Sequence, residues 1–352
     1  MTSNSQNKNS ILPSVYSKGE SSGSGPSQKQ HPLWIRLGAF LSMRSPNTRR
    51  SYMSIFKEWC EFLGAEVASD KAAELVLKAN DLQAQAYRAW LERRPGERPR
   101  MLQSKSTSRA LLKKTKIGTV KKDGLQYSLS NATIWKKFAA LRRMYRMIIA
   151  SDLGTSSNPF DIDTTPPPPK DSGKKRPTEM IPFEDVRKIL EGPDTREQKG
   201  LRDLAILAAL FGGGLRRSEI INLRLGDLAV SHAGNAFLRL RATKSRKDFN
   251  QALPQWAADI IFRWKKIREH EGATSGDYLF TSFRGRGGLV STPNPISSDG
   301  IYRLFKQYCI RAGVKVFATP HSARATAITK LLADGVPHRM VQEFSRHSSI
   351  QM

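Results

Sequence analysis

From residue 45 onward the apolar positions fall at helical intervals. Ser45 and Pro46 supply an N-cap and a first helical residue, and Tyr52, Ile55, Phe56, Trp59, Phe62 and Leu63 then recur every three or four residues until Gly64. This spacing predicts an amphipathic helix. A second is expected after Asp81, with Leu82, Ala86, Trp90 and Leu91 on its buried stripe. A third begins near Ser130 and carries Ile134, Phe138, Leu141, Tyr145 and Ile148 at alternating steps of four and three. Together they predict a small helical bundle over 32–160, preceded by a polar tail at 1–31.

The pattern then breaks. Asn158-Pro159-Phe160 closes the bundle, and Pro166 to Pro169 neither continue a helix nor pair in a sheet, so a stiff extended linker is expected over 161–177. Such prolines serve as spacers or, less often, as ligands of a proline-reading partner. The second domain, 178–352, opens with a short helix after Pro182 that carries Val186, Ile189 and Leu190. A buried helix with Leu201, Leu204, Leu207, Leu210 and Phe211 follows, interrupted at Gly212 to Gly214. Ala236 to Arg241 alternates as a half-buried strand does, and Phe249 to Leu253 can return antiparallel across a basic turn. Further helices are expected at Gln255–Glu269, Ser298–Ala312, Pro320–Ala333 and Pro337–Ser345. The predicted fold is mainly α: a helical domain followed by a mainly helical domain with one small antiparallel β-sheet.

Composition adds a partner. Length suits two domains with separate cores, and 58 Lys and Arg against 31 Asp and Glu give a net charge of +27, which a polyanion would neutralise. Nucleic acid leads, although a ribosomal, chromatin or membrane-surface protein can be equally basic. Arg93 to Lys122 holds eleven Lys or Arg, Lys113 and Lys114 among them, and one acid, Glu97. A solvated loop carries such a run too. The helix after it shows Lys136, Lys137, Arg142 and Arg143 opposite its apolar stripe, and Arg49 and Arg50 lie near the start of the first helix. All are candidate contacts to a DNA backbone. Cys60 and Cys309, set among apolar residues, suit buried thiols in a reducing compartment. No spacing of Cys or His suggests a metal, and no cofactor is implied. The tail lacks the apolar core of a signal peptide, and no stretch reaches the length of a membrane span. A cytoplasmic, nucleoid-associated protein is expected, with no membrane partner.

Four short segments carry candidate chemistry. Gly214-Leu215-Arg216-Arg217-Ser218-Glu219 puts Arg216 at the opening of a helix, where a guanidinium can grip a phosphate, with Glu219 placed to orient an Arg by an ion pair. Lys244 lies in the predicted hairpin turn, a position from which a Lys can reach a bound strand. Pro320-His321-Ser322-Ala323-Arg324 places His321 and Arg324 on one face of a first helical turn. Arg346-His347 follows the last helix. Each alone is ordinary: capped helices, solvated turns and chance HxxR pairs are common in a basic chain.

Taken in order, Arg216, Lys244, His321, Arg324 and His347 make the chain resemble the tyrosine recombinase, or phage integrase, family from about Ser45 to its end. The resemblance implies an N-terminal core-binding (SAM-like) domain and a C-terminal catalytic domain. It also implies that Arg216 and Arg324 clamp the non-bridging oxygens of a scissile phosphate, that Lys244 protonates the leaving 5′ oxygen, and that His321 and His347 assist. Strands would be exchanged in a tetramer on paired DNA sites, with accessory DNA-bending proteins as possible helpers, for a mobile element. Fixed cations can stabilise a pentavalent phosphate without a metal. Two departures stand out. Arg346 occupies a place where the family usually has Gly, and it either crowds that turn or adds a phosphate contact. The attacking Tyr is expected about nine residues beyond His347, past Met352, so these residues look truncated and are expected to bind DNA without cleaving it. Tyr302 and Tyr308 read instead as part of a core stripe with Ile301, Leu304 and Phe305. A non-catalytic DNA-binding protein, decayed or regulatory, and a type IB topoisomerase-like enzyme are the competing readings.

Overall fold

The computed structural model describes residues 30–93, 129–169, 178–241, 248–284 and 290–346. They divide into two compact units, 30–169 and 178–346.

The first unit is helical. Ser45 caps α2 (Pro46–Phe62), accepting from the Thr48 N–H, and the chain leaves that helix through Gly64 at φ +88°, a left-handed position that glycine takes without strain. Around it lie α1 (Pro32–Ser42), α3 (Asp70–Lys78), α4 (Asp81–Arg93) and α5 (Asn131–Ala150). Trp59 is the hub of the core: its ring meets Tyr87 and Phe160 edge-on at 5.0 Å each, and its indole N–H donates to Tyr145 Oη at 3.0 Å. Tyr145 passes the bond on to the Val76 carbonyl, so this polar chain through the core is paired from end to end.

Three expectations need correction here. The helices α1 and α3 were not anticipated, although Leu33, Trp34, Leu37, Phe40 and Leu41 of α1 are all buried. In α4 the stripe is rotated: Ala84, Tyr87 and Leu91 are buried, while Leu82 is 68% exposed and Trp90 37%. Tyr87 goes inward because its hydroxyl finds the Glu58 carboxylate at 2.6 Å and its ring finds Trp59. The proline segment is not a free spacer over 161–169. Its carbonyls, paired in no ladder, accept from Gln85, Arg88, Trp135 and Asn131, which strap Thr164, Pro166, Pro168 and Pro169 to α4 and α5.

The second unit is built on α7 (Gln198–Phe211), which is buried on nearly every side from Leu201 to Phe211 and packs against α9 (Gln255–His270) and α11 (Pro320–Ala333). Between α6 (Phe183–Glu191) and α9 stand α8 (Arg217–Ile220) and a three-stranded antiparallel sheet, β1 (Leu228–Val230), β2 (Ala236–Leu240) and β3 (Phe249–Ala252), in that order. A second antiparallel pair, β4 (Thr281–Arg284) and β5 (Val290–Pro295), precedes α10 (Ser298–Arg311), so there are two small sheets where one was expected. The helix α12 (His338–Ser345) is the last described element. Cys60 and Cys309 are free and buried, and burial pushes each thiol up to about 12, which keeps them inert. No helix of the described residues is long and apolar enough to cross a membrane.

Candidate phosphate-binding site

The site begins where α7 stops. Gly214 turns the chain at φ +56°, and a Cβ there would meet the Phe344 ring of α12 at 2.8 Å, so only glycine lets these two elements close together. Its carbonyl accepts from Arg324 Nη1. Two residues on, Arg216 caps the single turn of α8 and is held twice by Glu219. The carboxylate accepts from the Arg216 backbone N–H at 2.7 Å and from Nη1 at 2.8 Å. That backbone amide is therefore spent on Glu219 and is not left for an anion. The guanidinium remains 40% exposed.

Thr319 and Ser322 cap each other at the start of α11, which fixes the turn carrying His321 and Arg324. Arg324 is 1% exposed, and besides Gly214 it binds the Ser345 carbonyl at the end of α12. Burial, with Arg216 and Arg346 beside it, lowers its pKa to about 10, so it stays charged at neutral pH. His321 is exposed, and partial desolvation together with the charges of Arg324 and Arg216 holds its imidazole below the usual 6.5. Arg346 closes the circuit: its Nη2 donates to the second Glu219 oxygen at 2.7 Å. Polar bonds thus run from Gly214 through Arg324 to Ser345, and from Arg346 through Glu219 to Arg216. Two guanidiniums bond the Glu219 carboxylate, and Arg324 and His321 feel the Arg216 charge beside it, an electrostatic surplus among the described residues suited to an anion.

Not every sequence candidate lies in this cluster. Lys244 and His347 fall outside the described residues, as do Lys113 and Lys114; Leu240 pairs opposite Phe249 on the strands either side of Lys244. Tyr308 is buried with its hydroxyl on Asp203 at 3.1 Å, whereas Tyr302 is only half-buried and lies under Arg217 and Lys306. On the first unit the six basic candidates split evenly. Arg50, Lys136 and Arg143 are exposed. Arg49, exposed as well, spends its guanidinium on the Leu41 and Ser42 carbonyls at the end of α1, Lys137 pairs with Glu58, and Arg142 donates to the Phe160 carbonyl at 2.6 Å. Those three hold the bundle together. Among the described residues no cluster of three metal-ligating side chains occurs.

The model of the phage integrase family matches residues 179–352. The chain is 28% identical over 225 residues to tyrosine recombinase XerC of Pelotomaculum thermopropionicum, covering 62% of this chain and 68% of that protein. It is 33% identical over 168 residues to tyrosine recombinase XerA of Thermococcus kodakarensis, covering 47% and 53%. Its fold is similar to that of a lambda integrase dimer bound to a COC′ core site, with a TM-score of 0.54 at 14% identity over 90% of this chain and 96% of that one. The Tn1549 transposon integrase in complex with transposon right end DNA gives a TM-score of 0.54 at 17% identity, over 91% and 92%.

Proposed function

The chain belongs to the phage integrase family of tyrosine recombinases, and from that premise we propose that it serves site-specific recombination of duplex DNA, cutting and rejoining strands for a mobile element. The observation that carries this reading is the Arg216, Arg324 and His321 cluster, braced by Glu219 and Arg346 and short of one anion. A scissile phosphate supplies that anion. A tyrosine hydroxyl attacks phosphorus, the bond to the 5′ oxygen breaks, and a 3′ phosphotyrosyl link conserves the energy for rejoining. Arg216 and Arg324 hold the non-bridging oxygens as charge builds on them, Lys244 delivers a proton to the departing 5′ oxygen, and His321 with His347 assists. The reaction takes place inside the cell on the nucleoid, within a tetramer spanning two sites, aided by DNA-bending proteins.

The 352 residues by themselves bind DNA without cutting it in this reading. Tyr308 is committed to Asp203, and Tyr302 to its two cationic neighbours. The test is a duplex selected by binding from a random pool and nicked near the cleavage point. A form extended past Met352 through a tyrosine should form a covalent 3′ adduct on it, and the 352 residues should bind and form none. Binding at every length with no adduct would instead favour a regulator that uses the same fold.

A further inference from the structure

The second guanidinium on Glu219 stands where an arginine is conformationally disfavoured. Arg346 ends α12 at φ 50° and ψ 38°, the left-handed region, where a side chain costs about 1 kcal/mol relative to glycine. The side chain then turns inward, 8% exposed, with the Phe249 ring centred 5.6 Å from its guanidinium carbon. Its Nη2 reaches Glu219, while Nε and Nη1 are buried with no partner among the described residues. A charge so buried and only partly bonded is costly, and packing of the turn alone would be better served by glycine. Its one strong bond goes to the carboxylate that holds Arg216 at two points.

We propose that Arg346 is a positioning residue of the phosphate site: by holding Glu219 Oε2 it fixes the carboxylate that aims the Arg216 guanidinium, and it moors the end of α12 to α8. The inference rests on reading this cluster as a phosphate site. Without Arg346 the carboxylate is free to swing fully onto Arg216, neutralising the guanidinium that should face the anion.

The experiment uses the 352-residue chain and inorganic vanadate, a mimic of five-coordinate phosphate, titrated calorimetrically against wild type, Arg346→Gly, Glu219→Gln and the double variant. Gly keeps the left-handed turn and relieves its strain, and melting curves run in parallel confirm that each variant is folded. Arg346→Gly should bind vanadate about three- to tenfold more weakly than wild type, and should add no further loss in the Glu219→Gln background, because the effect passes through Glu219. Unchanged affinity in Arg346→Gly overturns the proposal. An equal loss in both backgrounds overturns it too, since Arg346 would then touch the anion itself. A wild-type chain that takes up neither vanadate nor duplex DNA overturns the phosphate-site reading beneath it.

Discussion

Glu219 grips Arg216 at two points, the backbone N–H at 2.7 Å and the guanidinium at 2.8 Å, so a single carboxylate both caps α8 and aims its arginine. The amide oxygen of Glu219→Gln can keep the cap but cannot balance two guanidiniums. Removing one partner of a largely buried pair leaves uncompensated charge, here moderated because Arg216 is 40% exposed. Urea unfolding should show a loss of about 2 kcal/mol. Sulfate should restore part of it by supplying the missing negative charge.

Arg216 and Arg324 are expected to part company when each is changed to Ala. In a form extended past Met352 through a tyrosine, either change should lower cleavage by at least about a hundredfold, as removal of one oxyanion-hole donor does. Their stabilities should differ. Arg324 is buried and ties the carbonyls of Gly214 and Ser345, so its loss orphans two acceptors and should cost about 3 kcal/mol. Arg216 reaches solvent and should cost under about 1 kcal/mol. Equal melting temperatures would count against this division of labour.

Much of this was legible because local signals agreed with the fold. Ser45-Pro46 and Thr319-Pro320 announce helix starts that form, and Gly214 marks a break that the site requires. The rotated face of α4 was not legible: Leu91 is buried as expected, but Leu82, Ala86 and Trp90 complete its stripe as well as Ala84 and Tyr87 do, and only Glu58 and Trp59, distant in sequence, decide between them. Lys137 and Arg142 carry the same ambiguity, since a basic face looks alike whether its partners are phosphates or the bundle's own acceptors. The helix α1 did carry its signal, five apolar residues at helical spacing, but next to a polar tail. Nothing local showed that Arg346 would reach back to Glu219.

His321 should titrate below 6.5, and the cause is testable. Desolvation comes first, then the charges of Arg324 and Arg216, all opposing a further cation. Between the folded value and 6.5 the unfolded chain holds more protons, so this residue's contribution to stability rises with pH across that window and is lost as pH falls through it. His321→Asn should flatten that part of the stability profile. Imidazole NMR should show the folded value moving up when vanadate or DNA neutralises the arginines, and a free-state value at or above 6.5 would refute the argument.

The division among basic residues of the first unit predicts two distinct phenotypes. Arg50, Lys136 and Arg143 are exposed, so changing them to Gln should leave the melting temperature in place. For every phosphate that a substitution leaves without its cation, the salt slope of duplex DNA binding should fall by about 0.9 log unit. Lys137→Met and Arg142→Met should do the reverse. Removing Lys137 takes the cation from the half-buried Glu58 carboxylate, and removing Arg142 takes a donor from the Phe160 carbonyl beside the aromatic hub, so both should lower the melting temperature. Their salt slopes should match wild type, because both side chains already bond acceptors inside the protein. A flattened slope in either Met variant would mean that those pairs open to meet DNA, and the basic face would then be wider than its exposed residues suggest.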